Sequence, residues 1–141
     1  MEQSVTVDVG APPERVWEVL TDVEHWSQWT STVTSVRLLD DGPLRVGSRA
    51  RISQPRLPES EYVVTELDPG RSFTWVATAP GVRTTARHDA QVLPEGGTRV
   101  RLSVSQSGRL GSVMGRFYRG LTDRYLAAEA AGLRARCEGA R

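Results

Sequence analysis

Lysine and asparagine are absent from this chain, isoleucine occurs once, at Ile52, and cysteine occurs once, at Cys137. A single cysteine excludes an intrachain disulfide, and a free thiol suits a reducing compartment, so a cytoplasmic location is expected. Without lysine there can be no phosphate-cradling glycine loop that ends in lysine. All 18 basic residues are arginine. The rare residues share A/T-rich codons, so the arginine excess is read as the mark of a GC-rich, bacterial genome and not as recognition chemistry. No apolar stretch approaches membrane-spanning length, and none follows a basic start, so neither a membrane span nor a secretion signal is expected. Acidic residues number 17, and the net charge of +1 is spread along the chain, without the basic stripe of a nucleic-acid binder. His25, His88 and Cys137 stand at no metal-ligand spacing, so no metal is expected, and no cofactor is implied. The glycines around Ser112 lack the spacing of a nucleophile elbow.

What is present describes one domain spanning residues 1–141, a length that buries roughly two-thirds of the unfolded chain's surface without staples. Residues 4–9 alternate, with Val5, Val7 and Val9 on one face and Ser4, Thr6 and Asp8 on the other, as in a half-buried strand. Pro12 and Pro13 stop that strand and suit the first turn of a helix. Val16, Val19, Leu20 and Val23 recur at helical spacing, and Asp22 is placed to cap a second short helix carrying Trp26 and Trp29. From residue 35 the period becomes two. Strands are expected near 36–38 and over 49–54, 61–67, 72–78, 82–93 and 98–106, separated by Asp-Gly-Pro, Asp-Pro-Gly, Pro-Gly and Gly-Gly turns. Connections this short force antiparallel neighbours. Residues 110–137 read as one long helix, weakened by Gly111, Gly115, Gly120 and Gly132 but open to a bend or close approach at them. The expected class is α+β: a curved antiparallel sheet of about seven strands around a long C-terminal helix, with two short helices after the first strand.

These residues carry a resemblance. Ala11-Pro12 through Val16-Trp17, Leu20-Thr21-Asp22, Trp26 and Trp29 match the opening of the START-like (SRPBCC) superfamily. Pro43-Leu44 with Val46-Gly47, Asp68-Pro69-Gly70-Arg71 with Phe73 and Trp75, His88, Gly97-Thr98-Arg99-Val100 and Tyr125-Leu126 continue the likeness over nearly the whole chain. It is similar to the bacterial polyketide cyclase/dehydrase and lipid-transport group. The resemblance implies the helix-grip fold of the birch-pollen allergen, with a hollow between sheet and helix. That scaffold hosts carriers, receptors, cyclases and co-chaperone domains, so fold alone does not decide activity.

Several side chains are candidates to line such a hollow. His88 shares a strand face with Thr84, Ala86, Ala90 and Val92, and small neighbours would leave room before its ring. It reads either as a general base or as a buried imidazole bonded to a backbone or hydroxyl group, the latter being commoner. Trp29 and Trp75 are candidate walls, and Trp17 reads as core. Gln54 is in phase with Ala50 and Ile52, hence inward. For Tyr62 two parities compete: Tyr62, Val64 and Glu66 against Val63, Thr65 and Leu67. Phe117, Tyr118 and Tyr125 are wall or lid candidates, with packing as the ordinary alternative. Glu129 and the arginines beside it read as solvated helix exterior, as do Arg49, Arg51, Arg99 and Arg101 on outer strand faces.

Three functions are weighed. One is a carrier of a small hydrophobic or amphipathic molecule. Another is a polyketide cyclase or dehydratase with His88 as base and Tyr62 or Tyr125 as polar partner. The last is a co-chaperone-like module, which needs an exposed apolar patch that the outer sheet and helix exterior do not offer. A monomer or a homodimer fits any of them.

Overall fold

The computed structural model describes residues 2–139. The chain runs β1 (Glu2–Val9), α1 (Pro13–Thr21), a 3-10 helix (Val23–Gln28), β2 (Ser35–Leu38), β3 (Arg49–Ser53), β4 (Ser60–Asp68), β5 (Ser72–Ala79), β6 (Val82–Val92), β7 (Thr98–Ser107), α2 (Gly111–Phe117) and α3 (Arg119–Glu138). The strands form one antiparallel sheet in the order β1-β7-β6-β5-β4-β3-β2. Alternation set the inner faces of β1, β3, β6 and β7, and the short connections from β3 to β7 left no length for a crossover.

Both parities considered for β4 are realised. The register against β5 shifts between Val64 and Glu66, so Thr65 is the extra residue of a bulge. Before it, Val64 is buried opposite Trp75; after it, Leu67 faces Phe73 and packs on the core. The bulge thereby turns Tyr62 inward at one end of the strand and Leu67 inward at the other.

The expected single C-terminal helix is two helices. Tyr118, with φ −95° and ψ 7°, separates α2 from α3. Gly115 and Gly120 flank the break, where each weakens helix by about 1 kcal/mol relative to alanine. The break turns Phe117 outward, 76% exposed, while Tyr118 turns toward the sheet's concave side.

The short helices seal one end of the grip. Val16, Val19 and Leu20 of α1 are buried, with Val23 and Trp26 of the 3-10 helix. Asp22 does not cap that helix with its side chain; its carboxylate meets His25 Nδ1 at 2.7 Å on the surface. Trp26 Nε1 donates to the Leu20 carbonyl at 3.0 Å, which fixes the ring over the core.

α3 lies along β1 and is tied at both ends. Gln3 Nε2 donates to Asp123 Oδ1 at 2.7 Å, and the Gly10 amide donates to Glu138 Oε2 at 2.6 Å. Leu126, Ala130, Leu133 and Cys137 form its buried stripe, and burial pushes the Cys137 thiol up to about 11. The outer sheet face is charged: Arg99 pairs with Asp8 at 2.8 Å and holds its carboxyl below the usual range. Arg49 pairs with Asp40 at 3.1 Å and Arg51 with Glu61 at 3.5 Å, all in solvent, where such pairs contribute little.

Candidate functional site

The concave side of the sheet has two unlike halves. At the end sealed by α1 and the 3-10 helix it is solid. Phe73 and Trp75 are fully or almost fully buried, and His88 lies between them. The imidazole stacks on Phe73 with centroids 4.2 Å apart, and Trp26 and Trp75 stand 5.5 Å and 5.7 Å away. Its Nδ1 lies 3.2 Å from the Phe73 carbonyl, so the neutral ring donates there. Burial lowers the His88 pKa to about 4, against the opposing pull of the Phe73 carbonyl and Asp89.

The other half is hollow. A cavity of about 250 Å³ lies between the sheet and the α2–α3 pair. The β3–β4 loop contributes Gln54, Leu57 and Pro58; β4 gives Ser60 and Tyr62; Ala79, Val82, Thr84, Val104 and Gln106 come from β5, β6 and β7. The helices contribute Met114, Tyr118, Thr122, Tyr125, Leu126 and Glu129. Aliphatic and aromatic surface dominates, with a few polar groups among it, the usual make-up of a small-molecule site. The Tyr125 hydroxyl donates to the Pro55 carbonyl and straps α3 to the β3–β4 loop. Gln54 Nε2 donates to the Thr32 carbonyl at 3.2 Å, which holds the same loop from beneath.

The candidates therefore divide. Gln54, Tyr62 and Tyr125 line this cavity. His88 and Trp75 do point inward, but into the packed half. The space before the imidazole is filled by rings from elsewhere in the chain, chiefly Trp26. Trp75 stands behind Tyr62, their centroids 5.3 Å apart, as a second layer of the wall. Trp29 is half-buried at the far end of α3, beside Arg136 and Gly132. Phe117 is on the surface for the reason given above. With Leu110 and Val113 it forms an exposed apolar row at i, i+3, i+7 spacing, so the helix exterior is less polar than expected.

Glu129 is the residue that sequence reasoning misplaced. It lines the cavity instead of the solvated exterior. Thr32 Oγ1 donates to its Oε2 at 2.9 Å, and Thr30 Oγ1 lies 3.0 Å from Thr32 Oγ1. Burial raises the Glu129 carboxyl to about 7, outweighing the stabilising Thr32 hydrogen bond. Burial, with the neighbouring Glu129 charge, pushes the Tyr62 phenol up to about 12, so it stays protonated. A carboxyl and a phenol thus share one largely apolar chamber, and the carboxyl can give or take a proton near neutrality. Spacing offered the signal: Glu129 is three residues after Leu126 and four before Leu133, on the buried stripe.

A wider depression of about 460 Å³ lies on the outer sheet face, lined by Arg71, Arg87, Arg99 and Arg101. It is open and charged, with Arg87 held by Asp89 at 2.7 Å and Arg99 by Asp8. Among the described residues, no cluster of three or more His, Cys, Asp or Glu side chains could hold a metal, and no helix is long and apolar enough to cross a membrane.

The family described as polyketide cyclase / dehydrase and lipid transport matches residues 1–138. No curated protein matches the chain in sequence. Among solved structures, the Zhui aromatase/cyclase from Streptomyces sp. R1128 superposes with a TM-score of 0.79 at 21% identity, covering 98% of this chain and 93% of that one. A START superfamily protein from Mycobacterium smegmatis gives 0.75 at 18% identity, covering 97% of each chain. At these identities the likeness is one of fold, the helix grip.

Proposed function

Because the chain belongs to the polyketide cyclase / dehydrase and lipid transport family, we propose that it binds one small hydrophobic or amphipathic molecule, polyketide-, lipid- or isoprenoid-like, in the cavity between the sheet and the C-terminal helices. The observation that carries this is the hollow half of the grip. Its volume of about 250 Å³ lies near the lower edge of ligand pockets, which run from about 300 to 1,000 Å³, so the ligand is small. The protein acts as a monomer or homodimer in a bacterial cytoplasm, where its free buried thiol is stable.

A second reading, a polyketide cyclase or dehydratase, is favoured by one observation: Glu129 places a carboxyl of pKa about 7 beside the Tyr62 phenol in the cavity. Cyclisation needs positioning and proton transfer in a dry chamber. His88, the earlier candidate for the base, lies outside the lining, so the role passes to Glu129 in this reading.

Native mass spectrometry of the purified protein, alone and with added 1-octanol, tests the binding reading. The expected spectrum shows a one-to-one adduct, either a co-purified molecule or octanol displacing it. A bare chain under both conditions would refute the reading.

A further inference from the structure

We infer that the cavity selects an amphipathic cation, a small ammonium with an apolar body, whose charged head meets Glu129 among tyrosine rings. This rests on the binding reading above and narrows its ligand class. The distribution of side chains carries it. All three tyrosines of the chain, Tyr62, Tyr118 and Tyr125, line this one cavity, and Glu129 lies with them. Among the described residues, no arginine lines it, and neither histidine does.

Each alternative ligand class fits less well. An anionic head would find no cation among the described residues of the wall and would confront the Glu129 carboxylate. A wholly neutral ligand would further dry a carboxylate that has no countercharge, which is costly. Thr32 supplies one hydrogen bond to a group with about four acceptor sites. An ammonium supplies the missing charge and further donors at once. The faces of tyrosine rings attract cations, and the attraction strengthens where water is excluded. Val82, Val104, Met114 and Leu126 then receive the apolar body.

Thr32, before β2, bonds to Glu129, and Tyr62 on β4 feels its charge; Tyr118, Thr122 and Tyr125 of the helices and the neutral amides Gln54 and Gln106 line the same cavity. The ionisable ones are tyrosines, and among the described residues no arginine or histidine acts on the Glu129 carboxyl. The carboxyl titrates at about 7, so it is largely ionised at pH 8 and protonated at pH 5.5.

Isothermal titration at pH 8 with n-octylammonium, 1-octanol and octanoate, each below its aggregation limit, tests this. Octylammonium is expected to bind about tenfold tighter than octanol, and octanoate weakest of the three. Glu129→Gln should bring the ratio of octylammonium to octanol affinity to about one. Octanol or octanoate binding as tightly as octylammonium overturns the inference, as does a preference that survives in Glu129→Gln. Octanol binding without any preference removes the cation alone and leaves the binding reading standing. Failure of all three to bind removes both. Should Glu129→Gln fail to fold, the native protein at pH 5.5 replaces it: the preference is expected to vanish there, and its persistence overturns the inference.

Discussion

Gly132→Ala is expected to lower stability by at least about 2 kcal/mol, although intrinsic helix propensity alone would raise it by about 1 kcal/mol. The two effects oppose each other, and geometry decides between them. Gly132 lies within α3, at the point where the helix passes the end of the 3-10 helix. A Cβ added there would stand 2.0 Å from the Trp29 carbonyl oxygen and 3.1 Å from its carbon. Both are backbone atoms and cannot rotate away. Either α3 lifts from the segment that delivers Trp26 to the core, or that segment moves. Both routes loosen the solid half of the grip, whose packing is sensitive to shifts of this size. For a chain of 141 residues, the loss should lower the thermal midpoint by roughly 5–10 °C in a circular-dichroism melt. Gly120→Ala is the control. Its nearest neighbour would be the end of Arg124, at 3.7 Å, so propensity alone should act and the midpoint should hold or rise. A Gly132→Ala midpoint equal to or above that of the native chain would show that α3 is not seated against Trp29.

Glu129→Gln is expected to stabilise the protein at pH 8, by on the order of 2–3 kcal/mol, and to change little at pH 4. The carboxyl titrates at about 7 in the fold against 4.5 ordinarily. Between those values the folded state holds the proton that the unfolded state has released. Stability contributed by this group therefore falls as pH rises through the window, and the full penalty remains above it. Glutamine stays neutral and escapes that penalty. His88 acts with the opposite sign. Its pKa is about 4 in the fold against 6.5 ordinarily, so the unfolded state binds more protons between those values. Its contribution is complete above 6.5 and is lost as pH falls toward 4. In the native chain the two slopes nearly cancel between pH 4.5 and 6.5. In Glu129→Gln the His88 slope should stand alone, with stability rising through that interval. Urea unfolding at half-unit steps of pH measures both. A Glu129→Gln variant less stable than the native chain at pH 8 would mean that the carboxylate is well paired in the fold.

Much of this architecture was legible because its signals are local. Period-two alternation marked most strands, β-branched and aromatic content marked β4, and Asp-Pro-Gly and Pro-Gly turns marked strand ends. The inward aim of His88 also followed from parity on β6. What parity cannot supply is the neighbour that arrives from elsewhere in the chain. Trp26, delivered by the 3-10 helix, fills the room that Ala86 and Ala90 leave before the imidazole. The same limit explains Trp75, which faces inward as expected but stands behind Tyr62. For Tyr62 itself the two parities were each correct on one side of Thr65, and only pairing with β5 reveals the bulge. Gln54 and Tyr125 reach the cavity because the loop before β4 and the start of α3 converge there. Glu129 was misread because charge outweighed spacing: it occupies the stripe of Leu126 and Leu133. Phe117 failed for the complementary reason, an apolar residue turned out by a helix break that depends on tertiary context.

The hollow half of the grip is tested most directly by a heteronuclear NMR titration of the protein with 1-octanol. Saturable shifts are expected at the amides of Tyr62, Val82, Thr84 and Tyr125, while those of His88 and Ala90, in the packed half, stay still. Shifts centred on the outer face around Arg87 and Arg99, or on the aromatic block around His88, would contradict the account.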